Sequence, residues 1–114
     1  MIKLKHHTDL TPERWFRFSL MMQLANAGVD VSRSFRHRRE GRMEDSEAAF
    51  ERAMELFFLT VEYPKNKKRL KEILRARAVY ADLYAGINEF NFTEEWLDGY
   101  FMDFNYLAAV QRGR

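Results

Sequence analysis

Helix start and stop signals recur along this chain, and what lies between them leaves little choice of fold. Thr11, Pro12 and Glu13 combine an N-cap residue, a proline at the first helical position and an acidic first turn. Apolar residues then recur every three or four positions as far as about Arg39, and Gly41 halts the pattern. A second periodic stretch starts after Asp45 or Ser46 and ends before Pro64, and a third runs from about Asn66 to Ala85 and stops at Gly86. Thr93 caps a fourth, which extends to about Val110. Strands are all but excluded. Four helices with mostly short connections predict an all-α chain, folded as an antiparallel up-down four-helix bundle. Residues 1–10, containing IKLKHH, are expected to form an extended or mobile arm, and INEFNF a loop with two rings to bury.

A chain of 114 residues is expected to form one domain, spanning 1–114, large enough to bury most of its surface without a staple. It has no cysteine, which excludes disulfides and thiolate metal sites. With no N-terminal apolar run of the signal-peptide kind, this composition predicts a cytoplasmic protein. The longest apolar runs, such as LFFLTV, are too short to cross a membrane, so the hydrophobic residues are expected to belong to a core. A net charge of only +2 does not by itself imply nucleic acid.

Within the first helix the polar residues are not scattered. Ser19, Gln23, Asn26, Asp30, Arg33 and His37 follow one another at steps of three or four, making one narrow stripe, and no charge appears from Phe18 through Val29. A solvent face normally carries lysine and glutamate, so the stripe is expected to be covered, lining a polar network or an interface. Alternatively it is simply the solvated side of an amphipathic helix.

Arg77 falls within the apolar arc of the third helix, where a charge that cannot be shed requires a carboxylate, carbonyls or a bound anion. Counting outward from the loops sets Asp30 level with Glu55, and Arg33 and Arg77 level with Glu51 and Arg52. An internal lattice of Asp30, Arg33, Glu51, Glu55 and Arg77 is therefore possible, or an anion site if the acids turn outward. On the fourth helix, Trp96, Leu97, Tyr100, Phe101, Phe104 and Ala108 share one side and read as core.

No motif with a defined mechanism is present. The Glu-x-x-His pairs of dimetal bundles, HExxH, the P-loop and dinucleotide glycine patterns are all missing, so no metal, cofactor or catalytic residue is expected. RSFRH is similar to the arginine and histidine of some helical ribonucleases, but with three residues between the two where those have at least four. The basic clusters RSFRHRREGR and PKNKKRLK lie at opposite ends of the expected bundle. The second, joined by Arg112 and Arg114, would form a basic pole able to touch phosphate.

The segments QLANAGVDVSR, AFERAMEL, RLKEILRAR and YFMDFNYLAA resemble a family of short, uncharacterised all-helical prokaryotic proteins, over Trp15 to Ala109. The resemblance implies a helical bundle and no established activity. Members of that family more often carry a glutamate at the place of Asp30 and an acid at the place of Ala78, and this sequence departs from them there.

Together these features predict a non-catalytic protein that forms a homo-oligomer, a dimer in the simplest case, or binds a protein partner. Ala25, Ala27 and Gly28 would permit close helix approach, since the first helix carries more apolar surface than three neighbours easily cover. The competing expectation is anion, nucleotide or RNA binding, with RNA processing as one form of it, at the Arg77 layer or the basic pole.

Overall fold

The computed structural model describes the backbone of residues 10–112 and the side chains of that range, except at positions 64, 65 and 105–112. The expected arm over 1–10 lies outside the described residues apart from Leu10, which packs on the core. Among the described residues the chain is entirely helical: α1 (Pro12–Trp15), α2 (Leu20–Arg39), α3 (Met43–Glu62), a 3₁₀ turn over Pro64–Arg69, α4 (Leu70–Tyr84) and α5 (Glu94–Arg112).

The long first helix expected from Pro12 to Arg39 is broken. Ser19 leaves the helical region with φ −64° and ψ 161°, and its hydroxyl accepts the Met22 N–H at 3.2 Å, making it the N-cap of α2. The break frees carbonyls at the end of α1, and Gln23, four residues into the new helix, satisfies two of them. Its Nε2 donates to Trp15 O at 3.1 Å and Phe18 O at 3.2 Å. Pro64 likewise opens a 3₁₀ turn where the third helix was expected to start at Asn66, and regular α-helix begins only at Leu70. The second helix starts at Met43, a little earlier than expected, so that Ser46 sits buried in its first turn and donates to Ser34 O at 2.7 Å.

The expected stops hold for local reasons. Gly41 has φ +77°, with Gly41 N–H donating to Arg38 O and Arg42 N–H to His37 O, the double bond of a Schellman cap. Gly86, at φ +82°, repeats the arrangement with Leu83 O, while Ile87 N–H reaches Asp82 O. Thr93 Oγ1 accepts Trp96 N–H at 3.0 Å and starts α5.

α2 lies between α3 and α5, and α4 lies against α3 with its tyrosines reaching α2. Leu24, Val31, Phe35, Phe57, Ile73, Tyr80, Leu97 and Phe101 form the centre of the core. The small residues Ala25, Ala27 and Gly28 are buried within the chain. A Cβ on Gly28 would stand 2.5 Å from Phe101 Cβ, so the close approach this trough permits is that of α5 and not of a second α2. The apolar girth of α2 is covered by its own neighbours, and its open side is Asn26, Val29, Arg33 and Arg36.

This packing separates two helical glycines. Gly28→Ala should destabilise the fold by about 1 to 3 kcal/mol, because the obstruction is the root of a core side chain and not its movable end. Gly99→Ala, at an exposed helical position with nothing within 4 Å of its Cβ, should gain up to about 1 kcal/mol. Urea midpoints of the two variants against the parent measure both signs.

Candidate functional site

The polar stripe of α2 runs along the waterline of the helix and does not belong wholly to either side. Gln23 and Asp30 are buried, His37 is half-buried, and Ser19, Asn26 and Arg33 are exposed. The buried members have assigned work. Gln23 Oε1 accepts from Asn66 Nδ2 at 2.9 Å, and the same amide donates to Thr60 O at 2.9 Å. Thr60 Oγ1 in turn accepts the Trp15 indole N–H at 3.0 Å and donates to Leu56 O at 2.7 Å. Trp15, Gln23, Thr60 and Asn66 thus close one end of the molecule with saturated hydrogen bonding. Thr60 and Asn66 were not singled out from the sequence, since each is an ordinary polar residue until the chain brings its partner close.

Asp30 meets Arg52 Nε at 3.3 Å and Arg33 Nη1 at 3.8 Å. Counting along the helices placed Arg52 level with Arg33 and Arg77, not with Asp30, and did not assign it to the lattice. Glu51 and Glu55 are half-buried on α3. Arg77 is half-buried on α4 and has no ion-pair partner among the described residues, so the structure does not join it to Asp30. At that depth a long arginine stem can lie on apolar surface while its head group stays hydrated, and no buried carboxylate is then required.

The cluster at the end of α2 is largely engaged by the chain itself. Arg38 Nη1 donates to Tyr84 O at 2.6 Å, and its guanidinium lies over the Phe35 and Tyr84 rings at 5.3 and 4.8 Å. Arg39 pairs with Glu94 at 2.8 Å, and Arg42 with Glu40. Behind them sits a buried hydroxyl cluster. Ser34 Oγ lies 2.6 Å from Tyr80 Oη and donates to Val31 O, while Ser46 Oγ lies 2.8 Å from Tyr84 Oη. Burial raises the Tyr80 phenol well above its ordinary range, opposed by the Ser34 hydrogen bond. His37 Nδ1 is the one buried side-chain polar atom among the described residues without a partner.

Two concave features stand out among the described residues. At the Gln23 end, an open cleft of about 680 Å³ is lined by Arg17, Arg69, Ser19, Asn66 and the Phe16–Tyr63 pair, whose rings stack at 4.3 Å. Arg69 is already held by Glu72 at 2.6 Å. The basic pole expected there includes exposed Lys67 and Lys68, while the side chains of Arg112 and Arg114 lie outside the described residues.

The second feature is a groove of about 130 Å³ between α4 and α5. Ala76, Val79 and Leu97 floor it, and Glu72, Arg75, Trp96 and Tyr100 wall it. Trp96, expected in the core, is 47% exposed; among the described side chains of that group only Leu97 and Phe101 are fully buried, and the side chain of Ala108 lies outside the described residues. The reason is angular. Trp96 stands about 100° from Leu97 on the helix, beyond the arc that the neighbours of α5 cover. It is the middle of a ladder of rings, 4.2 Å from Phe92 and 5.5 Å from Tyr100, all near-parallel. Tyr100 Oη donates to Glu72 Oε1 at 3.4 Å across the groove.

Among the described residues no group of histidine and acidic side chains is arranged to hold a metal ion, and no helix is long and apolar enough to cross a membrane. Compared with known proteins, the chain matches no family model, no curated protein and no solved structure.

The Tyr100 hydroxyl is pushed up to about 12, first by burial, then by the charge and hydrogen bond of Glu72. A tyrosine whose folded pKa exceeds its unfolded value contributes stability that is complete below about pH 10 and is lost as pH rises towards 12. Glu72→Gln removes the negative charge, so the Tyr100 ionisation should move down towards 10. Ultraviolet titration of the two proteins, with Tyr100→Phe as reference, measures the shift; coincident curves would detach Tyr100 from Glu72.

Proposed function

We propose that the chain is a non-catalytic, cytoplasmic binding module that works by self-association or by holding a protein partner. Its helices α2 to α5 are read as an antiparallel up-down four-helix bundle. The observation that carries the reading is Trp96. A tryptophan left half exposed in a stacked ladder, above a floor of Ala76, Val79 and Leu97, is the kind of anchor that dominates protein interfaces. Ile87 and Phe90, 70% and 48% exposed on the connection leading to α5, add apolar surface to the same part of the chain. The absence of cysteine fits a reducing compartment.

Trp96→Ser tests the reading. The wild-type chain should sediment above its own mass or retain a protein partner on an affinity column, and the variant should lose that behaviour while keeping its helical spectrum. Equal behaviour of the two proteins rejects the groove as the binding surface.

The second reading is anion, nucleotide or RNA binding at the basic pole, supported by Arg17 and the Phe16–Tyr63 stack in the cleft of about 680 Å³. Phosphate, nucleotides and short RNA at 100 times their dissociation constant should stabilise the fold by about 2.7 kcal/mol, and Arg17→Ala should abolish the melting shift. No shift with any of them removes this reading.

A further inference from the structure

We infer that the occupant of the α4–α5 groove is a second copy of this chain, related by a twofold axis running along the groove. The inference rests on the reading of the groove as a protein-binding surface and names its partner. Its basis is the charge of the two banks. Beside Arg75, which walls the groove on the α4 side together with Glu72, itself paired with Arg69, stand Lys71 and Lys68 at steps of four and three, and Arg75, Lys71 and Lys68 are all exposed. Beside Trp96 on the α5 side stand exposed Glu95 and Asp103, eight residues apart on one i, i+4 ridge of the helix and about 80° from each other around it. Among the described residues none of these five charges has an ion-pair partner. One bank is positive, the other negative, and apolar surface lies between them.

A surface with this pattern is complementary to itself. Rotation by 180° about an axis along the groove lays the α4 bank of each copy on the α5 bank of the other while preserving height along the helices. The Tyr100–Glu72 hydrogen bond fixes that height: Lys71 lies near the level of Tyr100, towards Asp103, and Arg75 near that of Trp96. Each copy would therefore bring Lys71 towards Asp103 of the other, and Arg75 towards Glu95 and the open face of Trp96, where a guanidinium is favoured. Gly99 lies midway between Glu95 and Asp103, with nothing within 4 Å of where its Cβ would be, so the partner's helix can approach closely there. The contact is isologous, which closes at two copies and does not propagate.

Charge reversal tests both partner and geometry. One protein carries Lys71→Glu and Arg75→Glu, and another Glu95→Lys and Asp103→Lys; all four positions are exposed, and circular dichroism checks that each protein is folded. By light scattering at micromolar concentration the wild type should show twice the chain mass of 13.7 kDa. Each reversed protein should show a single chain mass, because both of its contacts become repulsive. An equimolar mixture of the two should recover the doubled mass, and so should one chain carrying all four substitutions. A monomeric wild type, a dimer indifferent to the reversals, or a mixture that stays monomeric overturns the inference. A monomeric wild type that still retains a different protein in a Trp96-dependent way overturns the inference but leaves the binding-module reading standing. RNA retention lost with Lys71 and Arg75 would reject both.

Discussion

The side-chain amide of Gln23 holds one end of the molecule together. Its two donors close the carbonyls of Trp15 and Phe18, and its acceptor takes the Asn66 amide, which also reaches Thr60 O. One buried side chain thereby ties α1, α2, the end of α3 and the 3₁₀ turn. The break at Phe16–Ser19 exists because this amide can satisfy the groups that a break exposes. With an apolar residue at 23, several buried polar groups would lose partners at once, at roughly 1 to 3 kcal/mol each, and a straight helix through Ser19 would compete better. The bend matters to packing, since it carries Trp15 to Thr60 and closes the core.

The opposite end is held by different chemistry. Arg38 supplies a cation to the last carbonyls of α4, where the helix dipole welcomes one, and lies across two aromatic rings. Ser34 and Ser46 meet the Tyr80 and Tyr84 hydroxyls beneath it, so the tyrosines can be buried without an unsatisfied phenol. Between these two ends α2, α3 and α4 are fixed to one another. α5 is fixed mainly to α2, through Gly28 against Phe101, Ser32 to Asp98 at 2.8 Å and Arg39 to Glu94. Its side towards α4 is joined only lightly among the described residues, and the groove is what that light joining leaves.

Helix identity was legible because its signals are local. Gly41, Gly86 and Thr93 act on residues three or four positions away, and the structure uses them as their types suggest. The break before α2 was not legible from a helical wheel, which assigns Gln23 and Ser19 to a stripe without asking what their backbone neighbours need. Partners such as Thr60 and Asn66 lie about forty residues away, and nothing in their immediate surroundings announces them. The groove was hidden for a related reason. Periodicity placed Trp96 with Leu97 and Phe101, but how wide an apolar arc becomes covered depends on how closely α4 approaches, which α5 alone does not encode. Gly28 was recognised as a place of close approach; only tertiary structure says that the visitor is Phe101.

That pairing joins positions far apart in the chain, and during synthesis the trough of α2 must wait for α5. While it waits, the α5 of any nearby nascent chain could lie in it equally well, and exchange of segments between chains would follow. The connection over residues 85–93 counters this. Asn88 and Asn91 take positive φ, Asp82 accepts the Phe90 N–H, and Asn88 accepts the Phe92 N–H, so the path turns back on itself before α5 begins. A stiff return of this kind raises the local concentration of a chain's own α5 at its own trough above that of any stranger's. Two asparagines on an exposed loop and an aspartate in the last turn of α4 thereby guard the pairing of a buried glycine with a buried phenylalanine.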